Sequence, residues 1–193
     1  MPAAAQAATT HDVAHLHPLN TSVTHAKTTG EAKFALDGDA LKIDIRVHGA
    51  PADTEHWQHF HGFIDGKAAT CATMADDANK DGIIDVTETD RASGTTMVPF
   101  TTDPAGMDVP HGTYPKADAK GDYHYTATVS VKALDAAFAK AFPGQKLDLT
   151  KRVVYIHGVP ASEKLPATVA SLGPIPANVT LPIACGKIKA AKR

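Results

Sequence analysis

Residues 40–47 read Ala-Leu-Lys-Ile-Asp-Ile-Arg-Val, with Leu41, Ile43, Ile45 and Val47 in one phase and Lys42, Asp44 and Arg46 in the other. A period of two is that of an extended strand. Apolar residues in only one phase fit an antiparallel sheet with one face on a core and the other in water. Residues 32–36 (AKFAL) precede this segment across Asp37-Gly38-Asp39, a turn sequence, so the two are predicted to form a hairpin. Further strands are predicted over residues 123–131 (YHYTATVSV), 153–157 (VVYIH) and 181–188 (LPIACGKI) from their β-branched and aromatic content. One helix is predicted over residues 132–141, rich in Ala and Leu and stopped by Pro143-Gly144. Short spaced strands with one brief helix predict an all-β sandwich or barrel. Residues 62–123 carry few strand signals and are predicted to form a long, elaborate loop of the kind that carries function.

The chain has 193 residues, enough for a single domain with its own core. Residues 1–14, polar and rich in Ala and Thr, are expected to be a flexible N-terminal segment, and residues 15–193 one β domain. A formal net charge of −2 without a basic block argues against nucleic acid as a partner. No apolar run approaches the roughly 18 residues of a membrane helix, so no membrane span is expected. The opening MPAAAQAATT has neither a basic start nor an apolar middle and is not itself a signal peptide. It reads either as the mature start of a secreted or periplasmic protein behind an added Met, or as a disordered cytosolic tail. Cys71 and Cys185 are too far apart for a CxxC motif, which leaves two buried thiols or one disulfide.

Residues 77–88 read D-A-N-K-D-G-I-I-D-V-T-E and match the twelve-residue EF-hand pattern. Asp77, Asn79 and Asp81 offer side-chain oxygens at alternate positions, and Gly82 permits the sharp turn. Ile83 offers a carbonyl and Asp85 a direct or water-mediated ligand, while Glu88 closes the site with both oxygens. Calcium, which takes six to eight oxygen ligands, suits such a loop. The alternative is an acidic, solvated turn. The loop is single, which fits a structural clamp better than a paired sensor.

Eleven histidines are present, and the densest group is EHWQHFHGF with His56, His59 and His61. On a strand, His59 and His61 project from one face about 7 Å apart, a spacing that suits two ligands of one metal. His157 ends the apolar run RVVYIH, where a buried imidazole needs a bond or a metal. His111 and His124 are further candidate ligands beyond the long loop. The alternative for each is a hydrogen-bonded core or rim histidine. His11, His15, His17 and His25 are expected in a polar tail or as a weak metal trap, and His48 at an exposed turn. Imidazole nitrogens suit copper, which heads the affinity order of the divalent first-row metals.

The order VHGAPADTEHWQHFHGF, Cys71, RVVYIHG and ACGKI resembles the copper/zinc superoxide dismutase family, and HLHPLN with GEAKFALDGDALKIDIRVHG is similar to its opening strands. The likeness runs over residues 15–188. It implies a Greek-key β-sandwich or barrel, a copper site on His59, His61 and His157, and a disulfide between Cys71 and Cys185. The H-x-x-H-x-H-G theme is also similar to chordin-type (CHRD-like) domains.

The chain departs from the family pattern in two places. No histidine lies between His61 and His111 to serve as the bridging ligand, and the calcium-type loop stands where the zinc cluster would be. Residues 171–184 contain neither Arg nor Lys, so the cation that draws superoxide to copper is missing. The expected function is an exported protein that holds copper on the histidines and calcium in the loop. The alternatives are a copper-dependent oxidoreductase of the dismutase kind and a structural extracellular module. The expected partners are metal ions, with a homodimer as a further assembly. No GxSxG, P-loop, HExxH or GxGxxG pattern occurs.

Overall fold

The computed structural model describes residues 9–191, and they form mostly antiparallel β-structure. The strands are β1 (Thr10–Pro18), β2 (Thr29–Asp37), β3 (Ala40–His48), β4 (Gln58–Gly62), β5 (Thr95–Pro99), β6 (Tyr123–Ser130), β7 (Val153–His157), β8 (Pro182–Lys187) and β9 (Lys189–Ala190). The helices are α1 (Thr21–Thr24), α2 (Val86–Ser93), α3 (Val131–Ala141) and α4 (Ala177–Thr180). Strand order is β5-β4-β7-β8-β1-β2-β3-β6, with β9 against β1. β1 pairs with β2 from Thr10 to Leu16 and with β8 at His17 and Pro18, so it links the two halves of a curled sheet. β6 returns beside β3 and β7 beside β4, which gives Greek-key crossovers between the halves.

The hairpin forms as its sequence dictates. Asp37 pairs with Ala40 across Gly38-Asp39, and Gly38 takes the positive φ of 58° that the two-residue turn requires. Leu41, Ile43, Ile45 and Val47 are buried in the core. The halves meet through Phe34, Phe100 and Phe60, with ring centroids 5.8 Å and 5.9 Å apart along that chain. α3 covers the core with Leu134 and Phe138, and Ser130 caps it by accepting a hydrogen bond from the Ala133 amide at 3.2 Å.

Two expectations are corrected. Residues 1–8 of the expected flexible segment lie outside the described residues, but Thr10–Ala14 are strand. Their register is fixed by β2, and Ala14 is fully buried. The long loop over residues 62–123 also contains α2 and β5, and β5 completes the half-sheet beside β4. α2 arises because Asp85 and Glu88 form a reciprocal capping box around its first turn. Among the described residues, no helix is long and apolar enough to cross a membrane.

Candidate metal centre

β4 lies between β5 and β7, and all five of its residues are buried. Period two sends Phe60 into the core, while His59 and His61 emerge on the opposite face. His59 pairs with Tyr155 of β7, and a register shift at Ile156/His157 carries His157 to the end of the same face. The ring centroids lie 4.6 Å apart for His59 and His157, 5.0 Å for His59 and His61, and 5.9 Å for His61 and His157. One nitrogen from each ring lies within 4.8 Å of the other two. Among the described residues, this is the only group of three or more His, Cys, Asp or Glu side chains gathered so closely.

Backbone carbonyls decide which nitrogens are available. His157 Nδ1 donates to the Thr180 carbonyl at 2.7 Å, and His61 Nδ1 donates to the Gly94 carbonyl at 3.2 Å. A carbonyl only accepts, so in a neutral ring each of these histidines keeps its lone pair on Nε2. His61 Nε2 has His59 Nδ1 at 3.1 Å and the Thr96 hydroxyl at 3.1 Å. His157 Nε2 is buried without a partner. The three rings are neutral near pH 7. Burial, with the neighbouring His157 imidazole second, lowers His61 to about 3. Burial lowers His157 to about 4. His59 lies well below its usual value, chiefly through burial and then through the two neighbouring imidazoles. Neutral rings oriented by carbonyls are the form in which histidine binds a metal.

The remaining histidines fall elsewhere. His56 is fully buried, with Nδ1 and Nε2 each 3.0 Å from a carbonyl, of His157 and Pro51 respectively. It braces the backbone behind the site. His111 is exposed and bonded to Asp108 at 3.0 Å, and His124 bonds Asp44 at 2.9 Å on the outer face of β6. Neither joins the cluster, so the two further ligands expected from sequence are not brought to it. His15 and His17 lie exposed on the outward side of β1, because the alternate residues Ala14 and Leu16 turn into the core.

The predicted disulfide is present: Cys71 and Cys185 are bonded, with Cα atoms 5.8 Å apart. Tyr155 reinforces this junction. Ser93 donates to the Thr70 carbonyl, so the Tyr155 hydroxyl donates to Ser93 at 2.7 Å while accepting from the Ala72 amide at 2.9 Å. The segment carrying Cys71 is thus tied to the strand that carries His157.

Residues 77–88 form a loop closed on its own backbone amides. Asp77 accepts from Asp81 and Gly82, Asn79 from Asp81, and Asp81 from Ile83. Glu88 accepts from Ala78 and Asn79 through Oε1 and from Asp85 through Oε2. Asp85 accepts from Thr87 and Glu88, and its other oxygen accepts from Ala170 at 2.7 Å. Gly82 has φ 84°, the turn conformation expected of it. Ile84 is buried, and its amide and carbonyl are both held by the Asn20 side chain at 2.8 Å. Both Asp77 oxygens, Asp81 Oδ1, Asp85 Oδ2 and Glu88 Oε2 carry one amide apiece and retain a lone pair for a cation, whereas Glu88 Oε1 accepts two amides and Asp85 Oδ1 two amides and the Thr87 hydroxyl.

Sequence reasoning missed Tyr155, Thr96, Gly94 and Thr180. The two carbonyls leave no mark in the side-chain pattern, whereas Tyr155 lies two residues before His157 and shares its face. Compared with known proteins, the chain matches no family model and no curated protein.

Proposed function

We propose that this is an exported metal-binding protein of the superoxide dismutase-like kind, holding one copper ion on His59 Nδ1, His61 Nε2 and His157 Nε2. The observation that carries this reading is the His157 Nε2 atom, buried without a partner beside two other imidazoles. An unsatisfied buried acceptor costs about 1–3 kcal/mol, and a metal ion removes that cost. The residues fit such an ion. Three neutral nitrogens lie together, and carbonyls of Gly94 and Thr180 orient two of the rings. Coordination through His59 Nδ1 would require that neutral ring to carry its proton on Nε2. Copper placed there would supply one-electron chemistry between its +2 and +1 states, and imidazole donors with the affinity order favour it over its neighbours.

The reading extends to calcium in residues 77–88, with Asp77, Asn79, Asp81, the Ile83 carbonyl, Asp85 and Glu88 as ligands. The closed loop and the turn at Gly82 support it. The disulfide supports an oxidising compartment, secreted or periplasmic.

The test is a Cu(II) titration of the full chain with His11, His15 and His17 changed to Gln, since those side chains are exposed competitors on a strand the fold requires. One equivalent should bind with a nitrogen-rich paramagnetic spectrum. His59→Ala should lose it, while His111→Ala and His124→Ala should keep it. Uptake unaffected by His59→Ala would refute the site.

A further inference from the structure

A cavity of about 150 Å³ opens beside the histidine cluster and is lined by His59 and His157. Its other walls are Trp57, Val86, Val109, Leu172 and Ile175, with Thr96 and Thr180. Among the described residues no Lys, Arg, Asp or Glu lines it. Leu172, 44% exposed, marks the solvent side, on a turn closed by the Ile175 amide donating to the Leu172 carbonyl at 3.1 Å. The walls come from separate parts of the chain: the residue before β4, the first residue of α2, and the loops before β6 and α4.

Two properties fix what such a chamber admits. An anion entering it leaves water and finds no side-chain cation on the walls, so only the metal's own charge would offset its desolvation. An apolar molecule of benzene size gains by the same transfer, and dry apolar cavities of this volume do hold such molecules. The imidazoles stand at one side as the chemically distinct part of the lining, and the partnerless His157 Nε2 belongs to them.

We propose that this cavity is the ligand chamber of the histidine centre, and that it takes a small neutral molecule with an apolar body and one donor atom, not a hydrated anion. The assignment rests on the copper reading for the donor end and on the cavity alone for the apolar end. Trp57, Val109 and Ile175 then select by shape and Thr96 and Thr180 border the donor end. The lining therefore offers no side-chain charge to a small anion such as superoxide.

The experiment has two arms. In the first, benzene is added to metal-free full-length protein. It should raise the melting temperature by about 3 °C at roughly ten times its dissociation constant. Ile175→Trp and Val109→Phe, which fill the chamber from different loops, should each abolish that rise. No rise, or a rise that survives in whichever of the two variants folds, overturns the cavity assignment. In the second arm the copper-loaded protein is titrated with pyridine or with azide, following the paramagnetic spectrum of the metal. Pyridine should perturb it at a concentration at least roughly tenfold below azide. Azide acting at the lower concentration overturns the proposal. Failure to take up copper would instead sink the metal reading, and the benzene arm would still decide the cavity.

Discussion

The imidazole of His61 and the carbonyl of Gly94 meet at 3.2 Å, and this contact joins the end of α2 to the candidate metal centre. Gly94 has φ 69°, and a Cβ there would collide with the Gly62 carbonyl. No other residue fits both the dihedral and the space. Gly94→Ala should therefore displace the carbonyl that orients His61 without removing any ligand. We expect a stability loss of about 1–3 kcal/mol and a copper affinity lowered by roughly tenfold. Chemical unfolding and copper competition measure the two effects. Unchanged affinity in the folded variant would show that His61 needs no carbonyl to hold its orientation.

Acid should weaken the metal-free protein through these same rings. His61 at about 3 and His157 at about 4 lie below the usual histidine value because both are buried. His56 is lowered by burial as well. The unfolded chain therefore takes up protons first as pH falls through about 6.5, so stability is full above that pH and declines towards pH 4. Each such ring contributes a slope of up to roughly 1.4 kcal/mol per pH unit within that window. Urea unfolding at pH 7.5, 6 and 5 in the presence of chelator measures this slope, and His157→Gln should make it shallower. A flat profile between pH 7.5 and 5 would mean that the folded rings accept protons freely.

The Cys71–Cys185 bond closes 114 residues, so it restricts the unfolded chain strongly. Changing both cysteines to Ser should cost about 2–5 kcal/mol. Thiol titration of unreduced, unfolded protein should find no free thiol. Two reactive thiols would remove the bridge and, with it, the support for an oxidising compartment.

The parts that sequence revealed are those in which side-chain chemistry repeats with the local geometry. Leu41 to Val47 alternate, and β3 follows. His59 and His61 sit two apart on β4 and share a face. His124 could have been set aside by the same logic, since Tyr123 turns inward and its neighbour must turn out. The hidden parts depend on chain path. β5 has only five residues and exists through pairing with β4. Thr10–Ala14 become strand because β2 supplies the register, not because their own polar sequence demands it. The carbonyls of Gly94 and Thr180 reach the histidines from segments 33 and 23 residues away, and a backbone carbonyl carries no side-chain signal of the partner it will meet.

Superoxide offers a sharp functional contrast. Neither the chamber lining nor residues 171–184 supply a cation to attract an anion. Electrostatic steering raises association rates by about 10–1,000-fold where it operates, and it weakens with salt. The copper-loaded protein should thus consume superoxide at least roughly a hundredfold below the diffusion ceiling, with a rate nearly independent of ionic strength. Fast, salt-sensitive consumption lost in His157→Ala would establish the oxidoreductase alternative.

Helix α2 lies between the two proposed metal sites, so binding at one should be coupled to binding at the other. Asp85 and Glu88 shape its first turn, and Gly94 at its other end orients His61. A calcium ion bound by the loop would rigidify the helix and so favour the carbonyl position that suits copper. Glu88→Gln is the informative change. Glutamine keeps one oxygen for the capping box but turns its NH2 toward the Ala78 and Asn79 amides that Oε1 accepts from, so the metal-free protein should lose about 1–3 kcal/mol, and the second charged ligand oxygen is gone. Calcium should raise the melting temperature of the parent protein and leave that of Glu88→Gln unmoved. It should also tighten copper binding in the parent by a few-fold, and copper must tighten calcium binding by the same factor, because coupling between two binding equilibria is reciprocal. Equal copper affinity with and without saturating calcium would show that α2 holds its shape through the capping box alone.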